Sequence, residues 1–551
     1  MAAILPKQAE ADALSSAVPL RRARLVDLID SDRQRDLLRR ESYLRCTQHD
    51  HKQFDFDGYL IRFSDAVDVP SSDYVPMKRR RPTSRMDLGK VITKRLTAML
   101  FGHDKFPLIR VEGDADAEDF ARQLAVESKL AIRLIEARDI GGSTGTSVLS
   151  WGFVAGRPVV EVHRSAFVEV LEWQDYEARR PGKVLKVYPY MRRVWDVEGK
   201  PRQKRFFYVR YWDDRIDAVW SAVPEDAANQ RSWSMLPAKV VRHDLGSCPV
   251  YWIQNIPDSS SADGVSDYEG QEEWFDALDV LLSATQRGTV ANVDPTLVIH
   301  DDPRENDGVV RRGSSFAIYA RNGASYLELR GSALTSALEL LHVMRQTELD
   351  KADVVLLDPE KISGGTVSAA SMRMRYASML AKCDTLREQY GAAIVNVLQN
   401  MLSAARRLPR GAAEPSGEGE GSWGVVTLAM RAEPRKDGGV DYVERTPGAA
   451  ETVSLRWPPY FPATWQDRKE ATETAKGATG GRPVLSQRTA VESLATLFDV
   501  VDVDRELEMI EEDAESGMIR TRRALDVGAP VVDLSANLPP TPDDNSDADD
   551  K

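Results

Sequence analysis

Between Met372 and Met401 the chain sets apolar or aromatic side chains at Met372, Tyr376, Met379, Cys383, Leu386, Tyr390, Ile394, Val397 and Met401. Steps of three and four trace one face of an α-helix. Thr366 or Ser368 is suited to cap its start, and Arg406-Arg407-Leu408-Pro409-Arg410-Gly411 is suited to stop it. Such a helix is long against an ordinary mean of about 11–12 residues, so it needs a large body to bury its stripe. Ahead of it lies the loop 353–367, with Gly364-Gly365, and ahead of that a second helical pattern using Leu334, Leu338, Leu341 and Met344. A long helix entered through a Gly-Gly loop can present that loop at a surface or channel. Taken alone, the loop reads first as an ordinary helix–helix connection.

The rest of the chain alternates in period. Helical patterns cover residues 20–45, 86–100 and 117–138, the last closed by Gly141-Gly142. From Ser147 to about Val250 the period becomes two, with strand-like runs at 148–154, 157–162 and 206–212. A helix over 266–287 follows, then strand-like runs at 296–299, 315–319 and 326–329. Beyond a Gly/Glu/Ser linker at 411–422 come strands at 423–428 and 453–457, then a charged helical region over 465–525. The class is α+β, without an internal repeat.

Composition narrows the function. The 551 residues can bury more than one core, about three or four domain-sized units by length. No apolar run reaches the roughly 18 residues a membrane span needs, and the N-terminus lacks the order of a secretory signal, so cytoplasmic synthesis is expected. Cys46, Cys248 and Cys383 are too few and too far apart for a disulfide framework or a Cys-rich zinc site. The net charge of −13 argues against broad wrapping by nucleic acid, though not against local contact. The acidic segment 539–550 is expected to be disordered.

Motifs for catalysis are weak. Ile140-Gly141-Gly142-Ser143-Thr144-Gly145-Thr146-Ser147 suggests a phosphate loop, but it lacks the Gly-Lys-Ser/Thr ending and follows a helix, so it reads as a helix-to-strand turn. His49-Asp50-His51 beside Cys46, Asp55 and Asp57 reads as a polar connector before it reads as a metal site. Residues 301–308 have calcium-loop acids, but Pro303 and Arg304 break the ligand spacing. No nucleophile elbow is present. Lys78-Arg79-Arg80-Arg81 is a basic run with nucleic acid or a solvated face as its readings.

The order of parts from Met86 to Leu525 resembles the portal proteins of tailed bacteriophages, the ring at one capsid vertex through which DNA passes. Ser363-Gly364-Gly365-Thr366-Val367-Ser368-Ala369-Ala370-Ser371 is similar to the family's start of the wing helix. Trp457-Pro458-Pro459-Tyr460-Phe461-Pro462, followed by 481–490, is similar to the strand, proline turn and start of its crown. The resemblance implies an N-terminal extension and connector (1–85), a wing (86–265), a stem helix (266–293), an α/β clip (294–331) and a second stem helix (332–352). It further implies a tunnel loop (353–367), a long wing helix (368–410), a linker with wing strands (411–483), helical crown (484–527) and acidic tail (528–551).

It implies no enzyme and no cofactor, but a homododecameric ring that carries double-stranded DNA during packaging and ejection. The expected partners are terminase, adaptor or head-completion proteins, and major capsid and scaffolding proteins, with no membrane. The place is the virion's portal vertex, after assembly in a bacterial cytoplasm. Asp358, Lys361, Ser363, Gly364, Gly365 and Thr366 of the tunnel loop would meet DNA. Glu269, Glu272, Glu273, Asp276 and Asp279 would line the channel and repel phosphates. Arg304, Arg311, Arg312 and Arg321 would dock partners, unless the clip serves only subunit pairing. The alternatives are an enzyme for phosphate-containing substrates using residues 140–147, and a non-portal capsid structural or scaffolding protein.

Overall fold

A computed structural model describes residues 31–50, 61–62, 80–102, 105–111, 114–154, 156–195, 200–225, 237–243, 245–293, 296–299, 324–327, 332–356, 369–407, 431–434, 440–443, 452–461, 465–479, 486–495, 503 and 505–513. The chain is a mixed α+β protein. It divides into two compact units, residues 1–363 with 374–460, and residues 364–373 with 461–551.

In the first unit, α1 (Asp32–Leu44) begins at Ser31, whose hydroxyl accepts from the Gln34 amide at 3.2 Å. Short strands β1 (Ile61–Arg62) and β2 (Arg80–Arg81) pair in parallel. Helix α2 (Leu88–Phe101) buries Ile92, Leu96 and Leu100 along one stripe. After β3 (Leu108–Val111), the helix expected over 117–138 is two, α3 (Ala115–Glu127) and α4 (Leu130–Thr144). Lys129 between them sits at φ +55°, where the helical hydrogen-bond ladder cannot continue. Helix α4 also runs through Gly141-Gly142 and stops only at Gly145, at φ +85°.

The β-rich region comprises β4 (Thr146–Val154), β5 (Arg157–Arg164), β6 (Val168–Asp175), β7 (Arg180–Trp195), β8 (Pro201–Trp212), β9 (Ile216–Pro224), β10 (Lys239–Arg242) and β11 (Val250–Gln254). They form a three-stranded sheet, β11-β4-β5, and a five-stranded antiparallel meander, β10-β9-β8-β7-β6. Val148, Val168, Val184, Trp212 and Trp252 pack between the two sheets. Leu185, Val187, Phe207, Val209 and Tyr211 form a second cluster from the opposite face of the meander.

Helix α5 (Glu272–Val293) leads to the paired strands β12 (Thr296–Ile299) and β13 (Ala324–Leu327), then to α6 (Ser332–Lys351). A short α7 (Ala369–Arg375) ends at a turn at Tyr376, and α8 (Ala377–Arg407) follows. Met379, Cys383, Leu386, Tyr390, Ile394, Val397 and Met401 of α8 are all buried in the largest core, with side chains of α2, α3 and α4. Strands β14 (Arg431–Pro434) and β15 (Val440–Val443) pair with each other, and β16 (Val453–Arg456) pairs with β3. The expected strands at 423–428 and 315–319, the linker 411–422, the acidic loop 301–308 and the tail lie outside the described residues.

The second unit contains residues 369–373 of α7, α9 (Trp465–Thr479), α10 (Gln487–Ala495) and a helical stretch at 505–513.

Candidate functional site

The element most unlike an ordinary globular core is the hairpin of α5 and α6. Its helices run antiparallel. The Lys351 ammonium lies 4.9 Å from the Trp274 ring centre at one end, and a Cβ on Gly288 would stand 3.8 Å from Leu334 Cδ1 at the other. Phe275, Leu278, Leu341 and Leu349 face the core. Trp274, Val290, Leu338, Leu340 and Val343 instead lie exposed, Val343 at 62%. On α6, Leu340 and Val343 stand three residues apart and so share one exposed face.

The base of this hairpin is held by a buried polar cluster. Arg138 on α4 donates to both carboxylate oxygens of Asp267 at 3.0 Å, and both side chains are fully buried. Burial works against the Arg138 cation, but the Asp267 charge and hydrogen bond, with Tyr390 and Cys383, together outweigh it and hold the guanidinium above its ordinary range. The Asn255 amide donates to Asp267 Oδ1 at 3.0 Å, and the Tyr390 hydroxyl of α8 donates to Asn255 Oδ1 at 3.3 Å. Burial raises the Tyr390 phenol and keeps it protonated for that role. Lys382, also on α8, donates to the Asp267 carbonyl at 3.2 Å and to the Ala352 carbonyl at 2.9 Å. One long helix therefore grips the chain just before α5 and just after α6.

This cluster explains Gly141 and Gly142. A Cβ on Gly142 would fall 2.1 Å from Arg138 Nη1 and 2.4 Å from Asp267 Oδ2, and one on Gly141 would fall 2.2 Å from the Tyr390 hydroxyl. The glycines make room for a salt bridge and a phenol. Residues 140–150 are buried, and the Ser143 and Thr144 hydroxyls donate to the Ile140 carbonyl, each at 2.9 Å.

Four of the five acids expected to line a channel have partners within the chain. Asp279 accepts from the Met86 amide at 2.8 Å and from Gln48 at 3.2 Å, and lies 3.0 Å from His49 Nε2. Asp276 accepts from the Tyr43 hydroxyl at 2.9 Å, while Glu269 and Glu272 pair with Arg40 at 3.2 and 3.7 Å. Helix α1 and the segment after it supply all these partners except the Met86 amide. Glu273 is exposed, as is Glu339 on α6.

Asp358, Lys361, Ser363, Gly364, Gly365 and Thr366 lie outside the described residues, as do Arg304, Arg311, Arg312 and Arg321. Among the described residues no group of three His, Cys, Asp or Glu is placed to hold a metal ion, and no helix is long and apolar enough to cross a membrane. Arg81 and Arg85 reach Asp50 at 3.4 and 2.8 Å, so part of the basic run is bound locally.

A further buried group had no sequence signal beyond its residue types. His163 Nε2 lies 2.7 Å from the Ser150 hydroxyl, and its Nδ1 lies 2.9 Å from Lys186 Nζ. An ammonium can only donate, so Nδ1 accepts and the proton sits on Nε2, which donates to Ser150. Burial, then Lys186 and Arg210, hold the imidazole well below its ordinary pKa. No protein-family model and no curated protein matches the chain.

Proposed function

We propose that the chain is a portal subunit: a ring-forming channel protein for double-stranded DNA. The observation that carries this reading is the α5–α6 hairpin, tipped by a two-stranded sheet and gripped at its base by the long helix α8. That order, stem, clip, stem, loop and long helix, is the one the sequence shares with portal proteins. Neighbouring copies would cover Leu338, Leu340 and Val343, which a single chain leaves in water. Such a contact is heterologous and closes a ring when its rotation divides a full turn. The acids available to repel DNA along the channel are Glu273 and Glu339, the other four expected acids being spent on α1 and its neighbours. Terminase, adaptor and capsid proteins would be its partners, with terminase as the motor that supplies the energy for transport.

The test is mass measurement with electron imaging of the purified chain, alone and with scaffold and capsid protein. Closed rings of the dodecameric size that the portal resemblance implies, with a hole passing duplex DNA, are expected. A chain that stays a monomer or compact dimer in both conditions would sink the reading.

A further inference from the structure

The β7–β8 hairpin stands apart in charge from the rest of the molecule. From Met191 to Arg205 it carries Arg192, Arg193, Lys200, Arg202, Lys204 and Arg205 against Asp196 and Glu198, in a chain whose net charge is −13. Arg192 pairs across the ribbon with Lys204, and Val194 with Arg202; these share one face. Arg193 pairs with Gln203 and Met191 with Arg205 on the other. Elsewhere arginines find carboxylates: Arg33 with Asp263, Arg138 with Asp267, Arg164 with Glu41, Arg210 with Asp217. Arg205 lies 3.6 Å from Glu225. Arg192, Arg193 and Lys204 are exposed and have no carboxylate partner among the described residues. The ribbon is braced behind them by the stacked rings of Tyr190 and Phe206, and by the Tyr190 hydroxyl donating to the Ser221 carbonyl at 2.8 Å.

We infer that this hairpin is a duplex-DNA-binding arm that grips the phosphate backbone without reading sequence. Unpaired cations on both faces of a narrow ribbon suit a partner charged on every side, whereas an acidic protein patch would engage one face. A B-form major groove of about 12 Å admits a two-stranded ribbon, and the A-form groove of duplex RNA does not. Arginine forks match phosphate oxygens in pairs. The inference stands apart from the ring: it concerns an exposed arm and not a central channel.

The probe is a covalently closed circular DNA duplex, which cannot thread a preformed ring, so its binding reports an outer surface. Binding to the full chain is expected at low salt, with affinity falling linearly in log salt. The variant R192A/R193A/K204A, with unchanged circular dichroism and elution, is expected to bind at least ~10-fold more weakly, its salt slope smaller by about 3. The charge-keeping R192K/R193K should retain the slope. No binding by the natural chain, an unchanged triple variant, or a charge-keeping variant that loses binding would overturn the inference. Preference for poly-L-glutamate over the circle would also overturn it, in favour of an acidic protein partner. Absence of rings both alone and with scaffold and capsid protein would sink the portal reading and leave this one standing.

Discussion

Arg138 and Asp267 form a fully buried, two-pronged ion pair between α4 and the turn that leads into α5. Removing one partner strands a charge without water. Arg138→Met or Asp267→Leu should therefore cost about 3–5 kcal/mol, while the double change Arg138→Met with Asp267→Leu should cost less than the sum of its parts. Urea titration of the four proteins checks this. Additive losses would mean the pair is not energetically coupled.

Two glycines in helices should respond oppositely to alanine. Gly142→Ala drives a methyl into Arg138 and Asp267, both locked in the core, and should lower stability by about 2 kcal/mol or more. Gly288→Ala meets only Leu334 Cδ1 at 3.8 Å, so helix propensity should dominate and raise stability by about 0.8–1 kcal/mol. Melting temperatures of the two variants suffice.

Lys382→Met should loosen the base of the α5–α6 hairpin, because two backbone carbonyls lose a charged donor, each bond contributing about 1.5–3 kcal/mol. Amide exchange around residues 348–356 should quicken, while that of β7 and β8 stays as it is. Faster exchange everywhere would point to global destabilisation and away from a local clamp.

Acid should destabilise the first unit partly through His163. Unfolded, the imidazole takes up its proton near the ordinary value of 6.5; folded, burial and two cations delay that to a much lower pH. The unfolded state then binds more protons below that value, so this contribution is whole above it and shrinks as pH falls, by up to about 1.4 kcal/mol per pH unit. His163→Gln should flatten the stability profile on the acid side. A parallel profile would show that another group titrates.

Val343→Asp places a charge on an exposed face of α6, where substitutions alter a single chain by about 0.5 kcal/mol or less. In a ring the same position would be covered, and the desolvated carboxylate should block assembly. Light scattering on the purified variant should show a folded chain that no longer forms rings. Intact rings would move the subunit contact away from this face.

The long helix is legible from its stripe, since any α-helix with apolar residues three and four apart must bury that face. Met379 through Met401 do so. Helix α8 ends at Arg407, ahead of Leu408-Pro409, for the same local reason. The strands β4, β5 and β8 announce themselves through their period of two.

What the pattern does not carry is contact between distant residues. Gly141-Gly142 looks like a turn because glycine is permissive. It lies inside a helix, and it is glycine because Asp267 and Tyr390, more than a hundred residues away, take the space where a Cβ would stand. The break at Lys129 has no local mark, because its flanking residues fit a helix equally well. The acids of α5 can be counted in the chain, but their partners depend on α1 packing beside them, with Arg40 meeting Glu272 and Tyr43 meeting Asp276. Periodicity settles which face of an element is buried. The folded chain alone settles against what, because each partner arrives from a remote part of the sequence.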